Sequence, residues 1–124
     1  MKYAPAFIAF ALALLPAEAP AQNSPYDTMK ALSAGHILAA CKERPTESEW
    51  AKGICIGQIQ VLYLLAFSDH LAPKGKFCPP DGVTIDKARA VVIKYIEDKP
   101  EQLHLPFLLL AIDGLRKAWP CRAR

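Results

Sequence analysis

From Trp50 to about His70 the chain runs without proline, and its apolar residues recur at helical intervals. Ile54, Val61 and Leu65 form one row, and Cys55, Ile59, Leu62 and Ala66 form another. Two adjacent rows make a wide apolar face, which predicts a central helix. Just ahead, Thr46 and Glu49 have the spacing of a capping box, in which the hydroxyl takes one orphan backbone N–H and the carboxylate reaches back to another. Ile85, Ala88, Val91, Val92, Tyr95 and Ile96 repeat with the same period, while Asp86, Lys87, Arg89, Lys94 and Glu97 lie elsewhere on the helical circle. They predict the most clearly amphipathic helix of the chain, capped by Thr84 and ended by Pro100.

A last helix is predicted to start after Pro100 or at Pro106, since proline is tolerated in a first turn. It runs to about Trp119 and stops at Pro120. Phe107, Leu110, Ala111, Leu115 and Ala118 form one apolar stripe on it, and Leu105, Leu108, Leu109 and Ile112 form a second beside the first. One stripe suffices for a core-facing helix. The second predicts either a helix central in a bundle or the face of a homodimer. An N-terminal helix is predicted over Asp27 to Cys41, interrupted at Gly35 or restarted at Ser33. Strand alternation is absent. The expected fold class is all-α, a small disulfide-linked bundle of four to five helices.

Residues 1–21 fall outside that bundle. Lys2, an apolar run from Ala4 to Leu15 and the small residues Ala19-Pro20-Ala21 have the layout of a secretory signal cleaved after Ala21. The run is shorter than the roughly 20 residues a spanning helix needs. Residues 22–124 are then expected to form a single helical domain, periplasmic and with no membrane insertion once the signal is removed. Losing Lys2 and Glu18 together leaves the formal charge at +3. That charge is small and scattered, which argues against nucleic acid as a partner.

An export signal changes the meaning of the four cysteines, Cys41, Cys55, Cys78 and Cys121. An even count in an oxidising compartment favours disulfides. A zinc site is disfavoured because such sites usually hold their cysteines in close pairs. Four cysteines allow three pairings, and helix order ranks them. Cys41 closes one helix and Cys55 opens the next, so an antiparallel pair brings them together. Cys78, in the run Phe77-Cys78-Pro79-Pro80-Asp81-Gly82-Val83-Thr84, sits at the opposite end of an up-down bundle, where the last helix delivers Cys121. The expected bridges are Cys41–Cys55 and Cys78–Cys121.

Catalytic chemistry is sparse. His36, His70 and His104 form no zinc-hydrolase motif, and Asp69 and His70 point about 100° apart on a helix. A Cys-His nucleophile would need a thiol that the bridges consume, and no glycine-rich phosphate loop exists. An enzyme is not expected; nor are a metal, a cofactor or any catalytic residue. Gly53 and Gly57 flank Cys55 and are expected to admit a neighbouring helix closely. Function is more readily placed on a loop held by a rigid scaffold. The connector carrying Lys74, Gly75 and Lys76, with Phe77 at its end, is the candidate partner-binding loop.

Several spaced motifs also resemble a known family. They are Cys41, Cys55-Ile56-Gly57-Gln58-Ile59, Phe77 through Thr84, Val91-Val92-Ile93-Lys94-Tyr95-Ile96, Pro100-Glu101-Gln102-Leu103-His104 and Ala118-Trp119-Pro120-Cys121. Together they closely resemble the Rap/Tai family of immunity proteins, from about Gly35 to Cys121. The resemblance implies a small helical periplasmic protein with disulfides, often dimeric. It implies a toxin inhibitor that binds a cognate type VI secretion effector, notably a peptidoglycan amidase, by surface complementarity. A binding or adaptor module of the same fold with another protein partner is the alternative. Two positions depart from the resembled pattern: Gln58, where an aromatic is usual, and Val61, where glycine is common.

Overall fold

The computed structural model of the chain describes residues 24–42, 48–68 and 73–122. The expected signal segment 1–21, the predicted cap Thr46 and the pair Asp69-His70 lie outside them. Five α-helices form among the described residues: α1 Pro25–Ala31, α2 Ala34–Cys41, α3 Glu49–Ala66, α4 Ile85–Glu97 and α5 Phe107–Ala118. No strand forms among these residues, and the fold is all-α. The closest pairings are α4 with α5 and α2 with α3.

The helix predicted over Asp27 to Cys41 is two helices. Ser33 is extended, with φ −66° and ψ 152°, and its side chain makes no capping hydrogen bond. Backbone from the segment before α5 does that work instead. Ala34 N–H donates to the Leu105 carbonyl at 2.7 Å, and Gly35 N–H to the Leu103 carbonyl at 2.8 Å. Phe107 N–H returns the bond to the Leu32 carbonyl at 2.9 Å. The first amides of α2 thus find partners despite lacking intrahelical ones. Gly35 does not interrupt the helix. A Cβ there would lie 3.3 Å from the Leu103 oxygen, so glycine permits the close approach.

The start of α3 also differs from expectation. Ser48, not Thr46, is the N-cap, and its hydroxyl accepts from Ala51 N–H at 3.2 Å. Glu49 therefore occupies the first helical position and reaches Lys52 at 2.7 Å instead of closing a box. Two compatible caps stand two residues apart in the sequence, and spacing alone does not choose between them. Thr84 caps α4 as expected, accepting from Lys87 N–H at 3.3 Å. Pro100–Gln102 form a separate 3-10 turn before α5.

The core is built from one row of each major helix. Cys55, Ile59, Leu62 and Ala66 of α3 meet Ala88, Val92 and Ile96 of α4 and Phe107, Leu110, Ala111 and Leu115 of α5. The helix α5 closes on α4 at Gly114, where a Cβ would come within 2.9 Å of Tyr95 Cβ. No such neighbour surrounds Gly53 or Gly57: a Cβ at either would meet nothing within 4 Å. The helix expected to pack against them is not supplied by the described residues.

Both bridges join the pairs that helix order ranks first. Cys41 and Cys55 have Cα atoms 5.3 Å apart and are buried. Cys78 and Cys121 have Cα atoms 4.9 Å apart, and Cys78 is exposed. Cys78 N–H also donates to the Trp119 carbonyl at 2.8 Å. Beyond it, Val83 N–H returns to the Pro80 carbonyl at 3.3 Å across a turn with Gly82 at φ +79°. Only glycine adopts that φ freely. Burial pushes the Tyr63 phenol above its ordinary pKa of 10.0. The protonated hydroxyl donates to the Val83 carbonyl at 2.9 Å and ties the turn to α3.

Candidate partner-binding surface

The predicted loop divides into two parts. Pro73–Gly75 form a 3-10 turn with Lys74 exposed, while Gly75 and Lys76 are half-buried. Phe77 is fully buried and belongs to the hydrophobic core, its ring 6.4 Å from that of Tyr63. In sequence it follows Lys76 directly and reads as the end of the binding loop. Its apolar side chain instead turns inward and anchors the connector, leaving the turn at Lys74 as the part that reaches solvent.

Two surfaces flank this scaffold. On α3, Trp50, Ile54, Gly57, Val61 and Leu64 alternate at intervals of four and three, which puts them on one side of the helix. Trp50 is 76 % exposed and Leu64 71 %. Ile54, Gly57, Gln58 and Val61 form an open apolar groove with Leu108 of α5. Both departures from the resembled pattern, Gln58 and Val61, line this groove. The wide face predicted for α3 is therefore buried on the Cys55 row, while on the other row Ile54 and Leu65 are half-buried and Val61 is exposed. The second stripe of α5 divides likewise: Leu105 and Ile112 pack against the core, while Leu108 and Leu109 remain exposed. Ala118, assigned to the core stripe, is exposed.

The other surface is polar. Lys76, of the predicted loop, lines a cleft of about 410 Å³ with Tyr95, Asp113, Arg116, Lys117, Pro120 and Cys121. A second cleft of about 270 Å³ shares Tyr95 and Lys117 and adds Lys94 and Asp98. Lys99 Nζ lies 5.2 Å from the centre of the Tyr95 ring and Lys117 Nζ 6.0 Å from it. The sequence holds one signal of this arrangement, the four-residue step from Tyr95 to Lys99. The contribution of Lys117 depends on how α5 crosses α4 and is not visible locally.

Metal-binding side chains find no such gathering among the described residues. Among the described residues no group of three or more His, Cys, Asp or Glu side chains could hold a metal ion. His36 and His104 are exposed. No helix among these residues is long and apolar enough to cross a membrane.

No curated protein and no solved structure matches the chain. The family model of the Rap1a immunity proteins matches residues 33–121. That span begins at the break before α2 and ends at the second bridge, so it takes in all four cysteines and both surfaces. On that match, the chain belongs to the Rap1a immunity protein family.

Proposed function

We propose that the protein is a periplasmic immunity protein that binds and inhibits a peptidoglycan amidase delivered by type VI secretion. The observation that carries this reading is the family match over residues 33–121. The chemistry of the chain agrees with it. Two disulfides suit an oxidising compartment, and the sequence of residues 1–21 supplies the means of reaching it. The protein works by binding and performs no reaction of its own. The turn at Lys74, held between α3 and the Cys78–Cys121 bridge, is the first candidate for contact with the effector.

Co-expression in the periplasm with a candidate type VI amidase effector tests the function. Cells are expected to survive with the protein present and to lyse without it. Lysis in both cases rejects the function.

The uncovered row on α3 favours a homodimer. Two copies packed through Trp50, Val61 and Leu64 would cover apolar side chains that the described residues of one chain leave exposed, and Gly53 and Gly57 would let the helices approach closely. Sedimentation at low micromolar concentration is expected to show a dimer that Val61→Glu converts to monomer. A wild-type chain that sediments only as a monomer removes the dimer.

A further inference from the structure

The basic residues around Tyr95 are unevenly placed in a way the fold alone does not require. The two clefts and the ring between them gather Lys76, Lys94, Lys99, Arg116 and Lys117. Among the described lining residues the carboxylates are Asp98 and Asp113, and Asp113 is engaged with Arg116 at 3.4 Å. Apart from that pair, Lys94, Lys99 and Lys117 face one carboxylate among the described residues of the clefts, Asp98. Elsewhere on the surface lysines meet carboxylates, as in Lys52–Glu49 on α3 and Lys42–Glu97 between α2 and α4. Here two ammonium groups converge instead on one aromatic ring, which attracts cations by its quadrupole but neutralises neither.

We infer that the Tyr95 clefts are a docking site for an acidic segment of the protein partner, with carboxylates seated among Lys99, Lys117 and Lys94. The inference rests on the immunity reading for the partner's identity, and on charge for its chemistry. A concave, low-dielectric wall strengthens the field of like charges gathered within it and attracts the opposite sign. Tyr95 lines both clefts and so joins them into one surface. The site lies against the Lys74 turn through Pro73 and Lys76, so one partner can span both. Its position on α4 and α5 leaves the apolar groove between α3 and Leu108 to another surface.

The test is an NMR titration of the ¹⁵N-labelled protein with an acetylated, amidated hexaglutamate peptide, with hexaglutamine and free glutamate as comparators. Amide shifts are expected across residues 94–99 and 113–121 with hexaglutamate alone, weakening as salt is added because exposed charges are screened. Lys99→Glu with Lys117→Glu is expected to reduce affinity about tenfold, from the loss of two surface ion pairs and the repulsion that replaces them. Lys99→Gln with Lys117→Gln is a milder variant whose spectrum reports that the fold is intact. Equal shifts with hexaglutamine overturn the proposal, as do equal binding of free glutamate, shifts centred on Lys42, Lys52 or Lys87, or no shift at all. Protection in the co-expression assay is scored separately. A protein that protects but does not bind hexaglutamate loses this site and keeps its function; one that binds but does not protect does the reverse.

Discussion

Phe77→Ala is expected to lower the unfolding free energy by about 3–5 kcal/mol, the usual cost of emptying a buried phenylalanine site. Phe77 is 0 % exposed and packs in the one core shared by α3, α4 and α5. Neighbours are poorly placed to fill the space. The bridge at Cys78 and the Cys78 N–H bond to Trp119 hold the backbone beside it, and the Tyr63 hydroxyl is committed to Val83. Urea denaturation checks the size of the loss. Lys74→Ala, a few residues away and exposed, is expected to change stability by less than about 0.5 kcal/mol. A Phe77→Ala loss equally small would return Phe77 to the surface and to the binding loop.

Removing the outer bridge is expected to have a comparable effect. Cys78 and Cys121 are 43 residues apart in sequence, and in the chain-entropy model a loop of that length restricts the unfolded state by about 4 kcal/mol. Domains of this kind have a net stability of about 5–15 kcal/mol, so Cys78→Ser with Cys121→Ser takes a large share of the total. The inner bridge spans 14 residues, for which the same model gives about 3 kcal/mol. The two bridges should also differ in access. Cys78 is exposed while Cys41 and Cys55 are buried, so a dithiol added to the native protein reduces the outer pair first. Thiol labelling followed by peptide mapping reads the order. Simultaneous loss of both bridges, or an unchanged midpoint for the double variant, contradicts this account.

The sequence made the helices legible wherever one apolar row meets one core. Ala88, Val92 and Ile96 are buried as their period requires, and Thr84 caps α4. The cysteine pairs follow from helix order because each bridge joins ends that an antiparallel bundle already brings together. The break at Ser33 was only half visible, since its cause is a set of carbonyls at Leu103 and Leu105 about seventy residues downstream. Local spacing contains no trace of them. Phe77 was misplaced for a similar reason. It lies in an irregular stretch between a lysine and a cysteine, where no periodicity tells inside from outside.

The surfaces were less legible than the core. Val61 and Leu64 have the composition and spacing of core residues, and only the packing shows that no described element covers them. Tyr95 belongs to the inward row of α4, yet it stands at the rim, where Gly114 brings α5 against it. The lysines around it come from two helices and a connector, and their convergence is a property of the crossing. Helical period says which way a residue points on its own helix. It does not say whether another helix is there to meet it.

The Cys78–Cys121 bond has one more consequence. It makes a covalent ring of the chain between those residues, enclosing α4, the 3-10 turn at Pro100 and α5. A protease that cuts once within the ring, at the exposed Asp81-Gly82 turn or beside exposed Asp98, produces two fragments that remain joined. Such a nicked molecule would migrate as one species without reductant and as two with it. It would also keep the Tyr95 clefts assembled, because both helices that form them lie within the ring.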